Sequence, residues 1–302
     1  MLSPSKKGSL LAIAAFACWG AFPFYFKLVS HVGSLEVLAN RIVWSILCLF
    51  FLLFSLKKYW HVLVGIFLNK AHLLYLSIST LLIATNWGVY IWAVDSNQLF
   101  EASLGYYINP LFNVFLGFLL LKETLNGNQW FAVFLAAIGV SIQIIALGKF
   151  PIIALTLAVS FGLYGFIHKK IAIDVIPGLF VEVLLLLPLA LIYLGWLATG
   201  VESTMSGPLS WSGGDWLLLM FAGPVTIIPL LLFTSAAKLI TYSALGFFQY
   251  ITPTTLFFLA LLFYKEPFSF STLLTFAFIW SALALLSFDV IKTTFFSKKI
   301  KY

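Results

Sequence analysis

Two apolar runs of helix length bear nearly the same marks, and this duplication restricts the fold more than any other feature of the chain. The first run opens Ala-Ser-Leu-Gly-Tyr-Tyr-Ile-Asn-Pro, from Ala102 to Pro110, and closes on Lys122-Glu123. The second opens Ser-Ala-Leu-Gly-Phe-Phe-Gln-Tyr-Ile-Thr-Pro, from Ser243 to Pro253, and closes on Lys265-Glu266. Pro253 follows Pro110 by 143 positions, and in both copies the glutamate follows the proline by 13. Two extra residues precede Pro253, so the Leu-Gly pairs fall out of that register. The same offset sets Asn86 on Pro229 and Ala93 on Ala236; an offset of 145 sets Trp19-Gly20 on Tyr164-Gly165. Internal repetition on this scale divides the chain into two related halves, residues 1–148 and 149–302.

The environment of those halves follows from hydropathy. A bilayer core about 30 Å thick takes about 20 apolar residues in a helix rising 1.5 Å each. Runs of that length recur about ten times, near 8–30, 35–56, 71–94, 100–121, 127–147, 150–169, 177–197, 215–237, 243–264 and 269–289. Only 9% of the residues are charged and mean hydropathy is +1.07, against about 25% charged in a soluble domain. The expected fold is all-α and integral to the membrane. The short alternating segments of a closed barrel are absent from the sequence. Residues 1–30 read as the first span, because the apolar run after Lys6-Lys7 is too long for a signal peptide and more spans follow. The longer connections are 57–70 and the Gly-, Ser- and Thr-rich 198–214.

With the N-terminus placed in the cytoplasm, Lys6, Lys7, Lys57, Lys58, Lys70, Lys122, Lys169, Lys170, Lys238, Lys292, Lys298, Lys299 and Lys301 fall on the inner side. The outer loops hold Lys149 and Lys265. This asymmetry predicts both termini inside and accounts for the net charge of +7 without a nucleic-acid partner. Five spans per half is an odd number, so the second half enters the membrane inverted. Inverted repeats are characteristic of secondary transporters, whose sites lie near the midplane between the halves.

Proline within a helix removes a backbone bond and releases the carbonyl four residues earlier, here those of Tyr106 and Gln249. In lipid such carbonyls need partners, so Pro110 and Pro253 should face protein or a wet cavity. Asn109 and Asn113 share a helix face, as do Gln249 and Thr252, and each pair forms a polar patch beside its proline. The patches read as facing each other across a cavity, or as glue between helices. Trp87, Tyr90, Trp92, Tyr106, Tyr107, Phe247, Phe248 and Tyr250 surround this region, as pocket walls or as packing and interfacial belt. Asn86 needs a partner within its span, and the span of its mate Pro229 is expected to bend.

Lys27 and Arg41 are charges inside spans, which mark a pathway by default. Both lie near outer helix ends, from which they can also snorkel, and Glu36 is a potential partner for Arg41. As functional groups they would favour an anionic substrate. Glu182 is a candidate proton-coupling carboxylate, or a partner of His168, Lys169 or Lys170. Glu123 and Glu266 are expected to serve the N-terminus of the next helix, with Pro267 suited to a first helical position.

Cys18 and Cys48 lie within spans, and His31, His61, His72 and His168 lack ligand spacing, so neither metal nor cofactor is expected. No P-loop, His-Glu-x-x-His or Gly-x-Ser-x-Gly motif occurs, which argues against an ATP-driven pump and against an enzyme.

Several stretches together resemble the drug/metabolite transporter superfamily, in its EamA family and RarD-like ("chloramphenicol-sensitive protein") subgroup. They are Trp19-Gly20 with Phe26-Lys27-Leu28; Glu36 with Arg41 and Trp44; Asn86 to Val94; Glu101 to Pro110; Leu245 to Pro253; and Thr275 to Trp280. The resemblance implies ten transmembrane helices in two inverted five-helix repeats, working in a bacterial inner membrane. It implies a carrier or exporter of small metabolites or drugs and names a class, not a ligand; the expected substrates are amino-acid-like or amphenicol-like, and the expected state is a monomer or homodimer. The implied cavity lies among spans 1, 3, 4, 6, 8 and 9. Its candidate contacts are Trp19, Lys27, Arg41, Asn86, Trp87, Tyr90, Tyr106, Asn109, Asn113, Tyr164, Phe248, Gln249 and Thr252. A lipid or lipid-linked-substrate flippase of the same fold is the alternative.

Overall fold

The structure, a computed structural model, describes residues 3–199, 211–259, 261–262 and 269–291, the side chains of 287–291 excepted. Lys265, Glu266, Pro267 and the basic residues from Lys292 onward lie outside the described residues. Every described element is a helix: α1 (Pro4–Gly20), α2 (Phe22–Leu28), α3 (Ser34–Ser55), α4 (Tyr59–Leu68), α5 (Lys70–Asp95), α6 (Leu99–Leu121), α7 (Gly127–Leu147), α8 (Ile152–Lys170), α9 (Val175–Ala198), α10 (Gly213–Leu239), α11 (Tyr242–Gln249), α12 (Ile251–Leu259) and α13 (Phe270–Ile291). Eight segments among the described residues are long and apolar enough to cross a bilayer, with α1 and α2 together forming the first. They coincide with the first eight predicted runs, and the tenth falls on α13.

Local chemistry sets the ends. Asn126 and Gln129 form a reciprocal capping box at α7, and Ser212 and Asp215 form another at α10. The Asn69 side chain accepts from the backbone N–H groups of Ala71 and His72 at the start of α5. Gly148 ends α7 with φ +69°, and Lys122 ends α6 at φ +55°, a left-handed position more often taken by glycine.

Two expectations change. Residues 59–68, read as part of a connection, fold as α4, an apolar helix of ten residues. At 1.5 Å per residue it is only about 15 Å long, too short to span. It buries Leu63 and Ile66 and leaves Val64, Phe67 and Leu68 exposed between Lys57-Lys58 and Lys70, the pattern of a helix lying in the interface. The ninth run is not one helix. Pro253 has no N–H to offer the Gln249 carbonyl, and one helix stops at Gln249 and a second starts at Ile251. The equivalent Pro110 lies inside a continuous α6.

The largest core forms among α1, α3, α5, α8, α9, α10 and α11, around Phe16, Leu49, Tyr164, Leu179, Phe233 and Tyr242. A second core joins α6, α7, α11 and α13 through Val114, Ala136, Tyr250 and Ile279. Phe51, Phe54, Leu119, Leu189 and Ile192 are exposed on the outside of the bundle, as a lipid-facing surface requires.

Candidate functional site

The site is built from the crossing of α6 with α11. A Cβ on Gly246 would lie 2.7 Å from the Pro110 carbonyl oxygen, and one on Gly117 would lie 2.6 Å from Ser243 Oγ. Only glycine permits so close a crossing, and the crossing brings polar side chains of the two motifs into contact. Asn113 Nδ2 donates to Gln249 Oε1 at 2.8 Å and to Asn109 Oδ1 at 3.1 Å. Asn109 in turn donates to the Ala158 carbonyl of α8 at 2.7 Å, while Thr252 Oγ1 donates to the Phe16 carbonyl of α1 at 2.9 Å. The residue before each proline thus ties its helix to the leading helix of the other half. Tyr250 OH donates to the carbonyl of Tyr107, 143 residues earlier, at 3.2 Å.

Above this seam lies a cavity of about 620 Å³, within the usual size range for a small-molecule site. It occupies the end of the bundle that holds Leu28, Ser34, Asp95 and Leu99, here called the upper end. Trp19, Lys27, Arg41, Asn86, Trp87, Tyr90, Tyr106, Asn109, Gln249 and Thr252 all line it. Pro229 lies between two further lining residues, Thr226 and Leu230. The other three candidates sit elsewhere. Asn113 is buried in the seam. Phe248 packs against the main core, and Tyr164 is fully buried beneath the cavity. Among the polar wall groups, Asn86 is anchored by bonds to the Leu157 carbonyl (2.9 Å) and Ser160 Oγ (3.1 Å) of α8.

Arg41 is the charged centre of the wall. Its Nε donates to Thr226 Oγ1 at 2.9 Å, and its guanidinium carbon stands 4.9 Å from the Trp87 ring centroid and 5.8 Å from that of Phe26. Contacts of this kind hold a guanidinium plane in place. Glu36 does not pair with Arg41, contrary to the expectation from sequence. Five residues along a helix turn a side chain about 140° away, and Glu36 instead folds back over Gly33 at the start of α3. No ion pair to Arg41 occurs among the described residues.

The floor is aromatic. Trp19 and Phe161 each pack on the buried Phe233, at ring-centroid distances of 5.6 and 5.0 Å, and Phe233 stacks on Tyr164. Below it the lower end is closed by polar contacts. Glu182 lies buried, with Oε1 2.8 Å from His168 Nε2 and Oε2 accepting from Tyr164 OH at 3.3 Å. Of the three partners considered for Glu182, the structure selects His168. Lys169 donates to the carbonyls of Ala237 (3.0 Å) and Ile240 (2.6 Å) at the end of α10, and Lys238 donates to the Ile173 carbonyl. Glu123 accepts from the backbone N–H groups of Tyr242 (2.6 Å) and Ser243 (2.8 Å) and from Ser243 Oγ (2.7 Å). It caps a helix as expected, but that helix is α11 in the other half; the next helix in sequence, α7, is capped by Asn126.

Phe26, Phe161 and Thr226 were not among the candidate contacts. Phe26 stood in a recognised motif, but nothing in the sequence marks Phe161 or Thr226, because their role depends on which helices pack against α3 and α1.

Residues 6–145 match the EamA-like transporter family. Over 288 residues the chain is 49% identical to a Vibrio cholerae protein named "Uncharacterized transporter", covering 95% of this chain and 94% of that one. It is 46% identical over 290 residues to Protein RarD of Salmonella typhi, covering 96% and 97%. A crystal structure of another protein superposes with a TM-score of 0.71, over 93% of this chain and 98% of that one; at 17% identity the likeness is one of fold alone. With its bilayer-length helices and these relatives, the chain is a multi-pass membrane protein that belongs to the EamA-like transporter family, in its RarD-like branch.

Proposed function

We propose that this protein is a secondary transporter of small metabolites or drugs, amino-acid-like or amphenicol-like, in a bacterial inner membrane. Its two inverted five-helix units, residues 1–148 and 149–302, alternate access to a midplane site, with both termini in the cytoplasm. The carrying observation is that one cavity, lined from both halves, opens at the upper end and is sealed below by an aromatic floor and a polar layer. Which helix packs on which supports the inverted repeat. α1 packs on α10 as α8 packs on α5, and α6 packs on α8 as α12 and α11 pack on α1. The pairs α3–α9, α6–α11 and α7–α13 each join counterparts. Exchanging the halves maps each of these pairs onto another of them or onto itself, as an inverted repeat requires.

The inversion also accounts for the separation of repeat mates. Trp19 and Tyr90 line the open cavity, whereas Tyr164 and Phe233, their counterparts at offsets of 145 and 143, are buried toward the closed end. A conformation open below would expose the second pair and bury the first. In the predicted orientation the present cavity faces outward, and Arg41, Asn86, Asn109, Gln249 and Thr252 are the proposed contacts. The His168–Glu182 pair is then a lock on the closed end and the candidate for coupling.

The test is flux. Purified protein in phospholipid vesicles, offered pools of amino acids, amphenicols and related metabolites, should move at least one down its gradient. Asn109→Leu, which loses the bond to α8, should slow that movement. Undiminished flux in this variant would remove Asn109 from the site. Movement of labelled phospholipid without flux of soluble compounds would favour the flippase reading instead.

A further inference from the structure

We infer that the cavity selects a net monoanion: a carboxylate attached to an aromatic or apolar body, clamped by Arg41. The inference rests on the transport reading of the cavity and narrows the small metabolites and drugs proposed above to acids, setting aside zwitterionic amino acids and neutral amphenicols. Three features carry it.

The first is charge balance. Two cations line the cavity, Lys27 exposed at the upper end and Arg41 deeper in the wall; Arg41 has no ion pair among the described residues, and no Asp or Glu is among the lining residues. A cation left without a counter-charge in a largely apolar wall gains most from a ligand that brings one. The second is geometry. Thr226 holds Nε, and Trp87 and Phe26 hold the guanidinium plane. A fixed planar fork matches the paired oxygens of a carboxylate or phosphate better than a point-like anion, and the single charge of the guanidinium balances a carboxylate rather than a doubly charged phosphate monoester. The third is the rest of the lining, where Trp19, Phe22 and Phe161 supply aromatic surface for an apolar body.

An α-ammonium group on the ligand would find no carboxylate among the lining residues. The site therefore separates an acid from the amino acid of the same shape.

The experiment measures binding of four probes to the full chain in detergent, by thermal shift and calorimetry: 3-phenylpropionate, phenylalanine, 3-phenylpropionamide and phenyl phosphate. The acid should bind best. Arg41→Gln should weaken the acid about 100-fold, the scale of two lost charge-assisted hydrogen bonds, and leave the amide nearly unchanged. Arg41→Lys should recover only part, because a point charge does not replace the fork. Thr226→Val, which keeps the charge but releases Nε, should weaken the acid about 10-fold and serves as the second variant if Arg41→Gln does not fold. Failure of the acid to bind overturns the inference. So does equal binding of phenylalanine or the amide, tighter binding of the phosphate, or an acid affinity unchanged in Arg41→Gln. Arg41-dependent binding of the acid with no flux in vesicles would instead sink the transport reading and leave the ligand class standing.

Discussion

Replacing Glu123 by alanine tests whether the lower end is held shut by a cap that reaches from one half to the other. The carboxylate accepts three short bonds from the first turn of α11, two of them from backbone N–H groups, while Thr241 covers only the Ala244 N–H. A lost cap costs about 1 kcal/mol, and a carboxylate in a half-buried helix-N-terminal position adds up to about 2 kcal/mol. These overlap, since both describe the same charge on the same donors. Glu123 is not fully buried, so water replaces part of what is lost. A net cost of about 2 kcal/mol follows, roughly a 30-fold change in an equilibrium. Hydrogen exchange should therefore run about 30-fold faster at the amides of Tyr242 and Ser243 in Glu123→Ala, with α7 unchanged as the internal control. Because the same turn seals the lower end, amides from Tyr164 to Lys170 should also lose protection, as a shift toward a state open below would require. Unchanged exchange at α11 would refute the capping argument. Equal loss across every helix would refute its localisation to the closed end.

Other perturbations probe separate parts of the fold. Lys122→Gly relieves a left-handed residue at the end of α6 and should raise stability by about 1 kcal/mol, read as a higher midpoint in denaturant titration of the detergent-solubilised protein. Gly246→Ala places a Cβ 2.7 Å from the Pro110 oxygen, a backbone atom that cannot swing aside, and should cost about 1–3 kcal/mol by the same titration. A double-mutant cycle of Asn113→Leu with Gln249→Leu should give a coupling near the roughly 0.6 kcal/mol average for hydrogen bonds inside membranes; a value above about 2 kcal/mol would mean the seam is stronger than an ordinary interhelical bond. His168→Leu should destabilise by about 3 kcal/mol, since it strands a buried carboxylate, and adding Glu182→Leu should restore much of the loss. If the double variant is no better than the single, the pair is not what the buried charge depends on.

The class and much of the plan were legible in the chain itself. Apolar runs of bilayer length specify helices because lipid offers backbone groups no other partners, and α3, α5, α6 and α7 lie where the hydropathy placed them. The paired motifs marked the helices that cross at the centre, because a proline beside amides is tolerable in lipid only where protein or water covers it. What a linear reading could not supply was the identity of partners across the halves. The i, i+4 relation predicted that Asn109 and Asn113 share a face, but not that one reaches α8 and the other Gln249. Glu123 read as a cap for the next helix, since sequence ranks neighbours by separation along the chain; folding put the α11 N-terminus nearer, 120 residues away. Glu36 and Arg41 looked like partners for the same reason and are set apart by helical phase. Helix periodicity and hydropathy are local properties, and they determined the elements and their membrane environment. The docking of the helices on one another is a global minimum over many weak contacts, and only that docking decided that Trp19 and Tyr90 line the cavity while Tyr164 and Phe233 are buried beneath it.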